Sequence, residues 1–328
     1  MHPRDEIVPF AAFEEQISKL ERRLAEADFE VPAGSAFAED ARRAFATLYY
    51  SVFVAELPTT SPADTMLHGA SLAGLGDMAA KLNTALDKNE EANLLPHVAS
   101  MLRGNVRMNA WSDILDDAAN KTSELYIGAL AIGAQFEVTL EDPVKSAGGT
   151  NPDLLLNRGG QDWAIAVKTP QSAKPRSIWG NIESAVKQIE RSGRPGIPLI
   201  NLKNVIDRTA LEAGSPYGSI EDAKDALRQA SGSVIDAVRA DTADSDWSEL
   251  FGDKLARPLV AYMTQVTVTA VTPGGETMFV PIREFRLRPH PPCSAADLAH
   301  LTGLDGEARD LMFDLNEQLQ SNPSSGRN

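Results

Sequence analysis

Cysteine is almost absent from this 328-residue chain. The single thiol, Cys293, excludes an internal disulfide framework and is consistent with a reducing cytosol. No apolar run approaches the roughly 20 residues of a membrane span, and Met1-His2-Pro3-Arg4-Asp5-Glu6 opens no signal-peptide core. The expectation is a cytoplasmic protein with no membrane partner. Positive charge is scarce too. A net charge of −15 argues against indiscriminate nucleic-acid binding, because phosphate contacts require Lys and Arg. The five histidines show no metal-ligand spacing, and Cys293 has only His290 near it in sequence, which gives no support for a thiol nucleophile. There is no G-x-x-x-x-G-K-[ST] loop, no G-x-S-x-G elbow and no internal repeat. Gly69, Gly74 and Gly76 lie in a helical setting and follow no strand, so a nucleotide loop is unsupported.

What is present is an ordinary globular composition, 43% hydrophobic and 23% charged, on a chain long enough for two domains. Residues 1–110 read as a helical region. Phe13, Ile17, Leu20 and Leu24 recur at helical steps. A second helix is expected from Ala41 to Leu57, its Tyr49-Tyr50-Ser51-Val52-Phe53 stretch reading as core. Residues 58–64 form a loop that caps a third helix, residues 76–88 give a further helical stretch, and Pro96 opens another toward Val106.

From Trp111 to Gly133 the spacing predicts one long helix, followed by a strand at Gln135–Leu140 and a flexible loop at 141–150. Leu154–Leu156, the turn residues Asn157-Arg158-Gly159-Gly160 and Trp163–Val167 then read as a β-hairpin. Asp153 begins its first strand and Lys168 ends its second, so a carboxylate and an ammonium are expected to meet at one sheet edge. An amphipathic helix at Ile178–Arg191 and a strand at Ile197–Val205 follow. A mostly helical, acidic insertion at about 207–255 leads to a second hairpin, Leu259–Val271 with Met278–Ile282. Residues 286–293 are too proline-rich for a helix or a central strand. A last helix is expected from about Ala295 to Leu319, with a polar, disordered tail. The fold class is α/β (α+β), a mixed sheet flanked by helices, with an α/β core at 111–292 and a C-terminal helix and tail at 293–328.

Pro152-Asp153, the Gly-Gly turn, the apolar return strand and Lys168, in the order α-β-β-β-α-β over about residues 112–206, resemble the restriction-endonuclease-like nucleases, the PD-(D/E)xK superfamily. The resemblance implies a metal-dependent endonuclease hydrolysing phosphodiester bonds of DNA or RNA, in contexts such as restriction, repair or phage defence, with Mg²⁺ or Mn²⁺ as cofactor. It implies Asp153 as a metal ligand, Lys168 as the residue that orients water or meets phosphate charge, and Glu124 on the preceding helix as completing the metal shell. Gln188 on the following helix would contact backbone or metal-bound water. Dimerisation occurs within the superfamily, though no residue here demands it.

One position departs from the pattern: Ala166 stands where the family carries an acid two residues before the lysine. On a strand, Ala164, Ala166 and Lys168 share one face. Three outcomes stand open. An acid can substitute from elsewhere, either Asp162, about 20 Å along the strand from Lys168, or Glu183 on the following helix. The site can work with Glu124, Asp153 and the Val167 carbonyl. Or the fold is kept as a catalytically inactive binding or regulatory module. An unrelated α/β protein with a chance match is the remaining alternative. Residues 166–210 carry eight basic and three acidic side chains, and Lys174, Arg176, Lys187 and Arg191 are the candidate phosphate contacts, with a solvated helix face as the ordinary reading.

Overall fold

The structure is a computed structural model, and it describes residues 10–53, 61–88, 94–102, 106–110, 117–141, 152–212, 215–294 and 296–321. The N-terminal part is helical: α1 (Phe10–Glu26), α2 (Ala36–Phe53), α3 (Pro62–Lys88) and α4 (Leu94–Met101). Phe13, Ile17, Leu20 and Leu24 form the buried stripe of α1. Helix α3 starts at Pro62 behind Ser61, whose hydroxyl accepts from the Asp64 N–H at 3.1 Å. The two helical stretches expected around 64 and 76–88 are one 27-residue helix. Its glycines do not break it, because they sit where packing is closest: a Cβ at Gly69 would overlap the Phe279 ring, and one at Gly74 would overlap the Asn109 amide. The Tyr49–Phe53 stretch is not simply core, since Tyr49 is 53% exposed and stacks edge-on with Tyr50. Helix α2 begins five residues before the expected start, capped by Ser35, whose hydroxyl accepts from Ala38 N–H; residues 54–60 lie outside the described residues.

One six-stranded sheet follows, in the order β1 (Glu137–Leu140), β2 (Leu154–Arg158), β3 (Gln161–Lys168), β4 (Gly196–Asn201), β5 (Leu259–Val271), β6 (Thr277–Pro289). The β1–β2, β2–β3 and β5–β6 pairs are antiparallel, and β3–β4 and β4–β5 are parallel. Helix α5 (Asp117–Gly133) precedes β1, and α6 (Pro175–Ser192) makes the crossover from β3 to β4. Pro175 sits in the first turn of α6, and Gly193 ends it at φ 68°. Between β4 and β5 lie α7 (Arg208–Glu212), α8 (Ile220–Asp241) and α9 (Asp244–Phe251), the expected helical insertion.

Several expected boundaries move. The described part of the helix before β1 starts at Asp117, since 111–116 lie outside the described residues, as do 142–150 of the expected loop and 322–328 of the tail. The strand expected to reach Val205 ends at Asn201, because Val205 N–H closes a turn onto the Leu202 carbonyl. Residues 286–289 belong to β6, an edge strand, where proline costs no central ladder bond. The last helix, α10 (Gly303–Gln320), begins after Thr302, with a single 3₁₀ turn at Leu298–His300 before it.

The sheet divides two apolar layers. Trp163, Ile165 and Val167 of β3 share one hydrophobic cluster with α1–α5 and α10. Ala164 and Ala166 face the other cluster, built from α6, α8 and α9. This is strand alternation with both faces covered. No helix among the described residues is long and apolar enough to cross a membrane.

A buried carboxylate ties the first layer to the sheet. Asp77 of α3 accepts from Arg283 Nη2 (2.8 Å), the Tyr126 hydroxyl (2.6 Å) and Gln265 Nε2 (3.2 Å). Burial raises the Asp77 pKa, but Arg283, Lys81 and these hydrogen bonds outweigh it and hold the carboxyl below its ordinary value. Removing one partner of a buried pair strands the other charge. Asp77→Ala is therefore expected to lower stability by about 3–5 kcal/mol, read as the shift in urea midpoint at constant slope. An unchanged midpoint would show that the network carries no stability.

Candidate functional site

The first hairpin positions the site. Gly159 and Gly160 take φ 61° and 86°, the left-handed pair a two-residue turn needs, so the strands run closer to the turn than the sequence suggests. The register sets Leu154 opposite Ile165 and Leu156 opposite Trp163. One step further, Asp153 arrives at the end of β3. Its Oδ2 accepts from the Val167 N–H at 2.7 Å and lies 3.5 Å from the Lys168 ammonium. The expected meeting of Asp153 and Lys168 is therefore an ion pair between a buried carboxylate and a half-buried ammonium, with Val167 taking part through its amide.

Helix α5 brings Glu124 to the same place. It is 6% exposed, and its Oε2 accepts from Lys121 Nζ at 2.7 Å. A fifth group comes from the end of β1. Glu141 N–H donates to the Asp153 carbonyl at 3.1 Å, and the Glu141 carboxylate lies 3.8 Å from Lys121 Nζ. Three carboxylates and two ammonium groups thus share one edge. Lys121 and Glu141 are the residues sequence reasoning missed. Lys121 was visible as the i−3 partner of Glu124 on one helix face. Glu141 is the residue that pairs opposite Asp153 once β1 and β2 are put in register.

The other candidates lie elsewhere. Asp162 pairs with Arg194 (3.2 Å) at the turn end of β3. Glu183 is half-buried on α6 and makes none of the cluster's hydrogen bonds or ion pairs. Neither supplies the missing acid. Ala166 is fully buried in the apolar layer under α6, so a carboxylate there would be inserted among hydrocarbon. Gln188 is 3% exposed, on the buried side of α6 with Ala185 and Ile189. Lys174 is exposed just before α6. Arg176, Gly180, Ser184, Lys187 and Arg191 make one exposed stripe along it, flanked by the half-buried Glu183 one turn before Lys187, with Arg176 3.9 Å from Asp241.

The electrostatics follow from the crowding. Burial and then the charge on Asp153 push the Glu124 pKa up to about 8, against the opposing pull of Lys121 and Lys168. Burial works against the Lys121 ammonium, but Glu124, Asp153 and Glu141 overcome it and raise its pKa. Glu124 and Asp153 are hard oxygen donors of the kind Mg²⁺ or Mn²⁺ takes. Such ions are commonly held by one or two carboxylates, with water and substrate phosphate completing the shell. Among the described residues no three His, Cys, Asp or Glu side chains form a metal-holding group, and the Lys121 ammonium stands between Glu124 and Glu141. The carboxylates are oxygen donors, but Lys121 and Lys168 already engage them, so a divalent ion there would have to take its remaining ligands from water or substrate.

A carboxyl with a raised folded pKa favours folding below its unfolded value of 4.5, and that contribution is lost as pH rises toward about 8. Glu124→Gln removes the loss while keeping an acceptor for Lys121. With metal chelated, the variant is expected to melt above the parent by roughly 2 °C or more at pH 8.5, with the gap closing toward pH 4.5. A gap independent of pH would show that Glu124 does not titrate as its surroundings require. Beside known proteins, the chain finds no counterpart in any of three comparisons: no family model matches it, no curated protein does, and no solved structure does.

Proposed function

We propose that this chain is a metal-dependent phosphodiester hydrolase of restriction-endonuclease-like fold, acting on nucleic acid. The observation that carries the reading is the convergence of Asp153, Lys168 and Glu124 at one sheet edge, in the order α5-β1-β2-β3-α6-β4. Glu124 and Asp153 would hold the divalent ion. When bound, that ion supplies Lewis acidity and an activated water. Lys168, held by Asp153, is the cation that meets charge building on the attacked phosphate. The Val167 N–H fixes the Asp153 carboxylate so that it need not reorganise. Lys121 restrains Glu124 and Glu141. The basic residues Arg176, Lys187 and Arg191 exposed along α6 would suit a phosphate backbone in a chain otherwise strongly acidic.

A specific observation favours a second reading, a catalytically inactive binding module. Ala166 lies in the apolar layer, and the carboxylates already pair internally with Lys121 and Lys168. Cleavage of labelled single- and double-stranded DNA and RNA with Mg²⁺ or Mn²⁺ separates the two. The nuclease reading expects Asp153→Ala and Lys168→Ala each to lower the rate by roughly 100-fold or more. A parent that cleaves nothing and binds no metal by calorimetry leaves the binding module.

The α6 stripe makes a separate expectation. Arg176→Ala, Lys187→Ala and Arg191→Ala should each weaken nucleic-acid binding. On duplex DNA each should also reduce the slope of log K against log salt by about 0.9 for every phosphate that the side chain had neutralised. Slopes equal to the parent's would show the stripe to be merely solvated.

A further inference from the structure

Lys121 puts a positive charge among the carboxylates of the sheet edge. It lies on α5 one turn before Glu124, and its Nζ is 2.7 Å from Glu124 Oε2 and 3.8 Å from Glu141 Oε2. The Asp153 charge acts on the same ammonium. The acids come from separate places in the fold: Glu124 from α5, Glu141 from the residue after β1, Asp153 from the residue before β2. The Glu141 N–H, donating to the Asp153 carbonyl at 3.1 Å, holds the last two together. The three carboxylate side chains are 7% or 8% exposed, whereas that of Lys121 is 22% exposed. The anions are thus set inside, and the cation reaches them from the rim.

The two ammonium groups of the edge differ in what they join. Lys168 lies 3.5 Å from Asp153 Oδ2, the oxygen that also takes the Val167 N–H, so it belongs to one acid at the strand end. Lys121 instead bridges acids carried by a helix and by a strand end. That bridging place is the one an inorganic cation takes among carboxylates. A lysine ammonium is a compact point charge on a flexible, four-carbon stem, so it can fill such a place and can also leave it for water. A divalent ion entering between Glu124 and Glu141 would meet that charge and compete for the same oxygens.

We propose that Lys121 is the internal counter-cation of this site and sets its ion occupancy. With its ammonium between Glu124 and Glu141 the place is closed to a divalent ion, and it opens when the side chain swings to solvent. Taking that ion as the cofactor of hydrolysis rests on the nuclease reading above; the competition for the carboxylates does not. The test is calorimetric titration of Mn²⁺ into the full chain at fixed ionic strength. It compares the parent with Lys121→Gln, which removes the charge, and Lys121→Arg, which keeps it. Lys121→Gln is expected to bind Mn²⁺ about tenfold or more tightly than the parent, and Lys121→Arg no more tightly. Adding Glu141→Gln to Lys121→Gln should remove most of the gain. Thermal unfolding without metal checks each fold. Should Lys121→Gln melt low, recovery on adding Mn²⁺ supports the proposal and no recovery overturns it. No Mn²⁺ binding by any variant, equal affinity in parent and Lys121→Gln, or a gain that Lys121→Arg shares or that Glu141→Gln leaves intact also overturns it. Tighter Mn²⁺ binding by Lys121→Gln in a chain that cleaves no nucleic acid keeps this inference and removes the nuclease. Metal-dependent cleavage by a parent whose Mn²⁺ affinity Lys121→Gln leaves unchanged does the reverse.

Discussion

Strand β3 is the piece on which the rest depends. It pairs antiparallel with β2 and parallel with β4, and it is buried on both faces. Trp163, Ile165 and Val167 are committed to one apolar layer, and Ala164 and Ala166 to the other. A slip of one residue would exchange every face, so the register must be fixed. The Gly159–Gly160 turn fixes it, with backbone angles that other residues adopt only under strain. The strand then has no polar position between Asp162 and Lys168. Its first functional side chain stands where it leaves the sheet, and the same parallel pairing brings the end of β4 alongside.

Helix α5 must hold Glu124 against that edge, and it is restrained along its length. Tyr126 reaches Asp77 on α3, Ser123 accepts from Asn201 at the end of β4, and Lys88 donates to the Gly133 carbonyl at the helix C-terminus. Each contact uses a group that would otherwise be a costly buried polar atom. A carboxylate with an elevated pKa is itself unfavourable, so it persists only where its backbone is over-determined. The Asp77 network meets that condition two residues from Glu124. The N-terminal helices thus do more than cover a sheet face, because α3 fixes the element that presents the acid.

Much of this was legible in sequence where local chemistry dominates. The Gly-Gly turn, the second hairpin, the amphipathic stripe of α1 and the proline-rich end of β6 all appear in the structure in the places their chemistry requires. Asp153 and Lys168 were legible because a hairpin with a short turn brings its ends together. What was not legible depends on tertiary pairing. Gly69 and Gly74 read as helical residues with no stated role, yet close packing against Phe279 and Asn109, both distant in sequence, requires glycine there. Glu141 looked like the first residue of a loop, and only the β1–β2 register gives it a neighbour in Asp153. That Gln188 is buried was not legible either, because the crossover packing of α6 on the sheet decides which helix face is covered.

Ala166, where the resemblance implies an acid, and Glu141 lie in opposite surroundings. A carboxylate at 166 would lie beneath α6 in an apolar layer, whereas one at the end of β1 reaches the same edge from the side where Lys121 stands. That edge carries three carboxylates, Glu124, Asp153 and Glu141, beside Lys121 and Lys168. Three carboxylates against two ammonium groups leave an excess of one negative charge when all are ionised. Glu124, raised to about 8, removes that excess by holding a proton at neutral pH. A cluster that is neutral at rest has little field with which to draw in a cation by itself. On the nuclease reading, Glu124 and Asp153 would hold a divalent ion only once Glu124 had given up its proton, so an ion entering together with an anionic substrate would be favoured over one held by the protein alone.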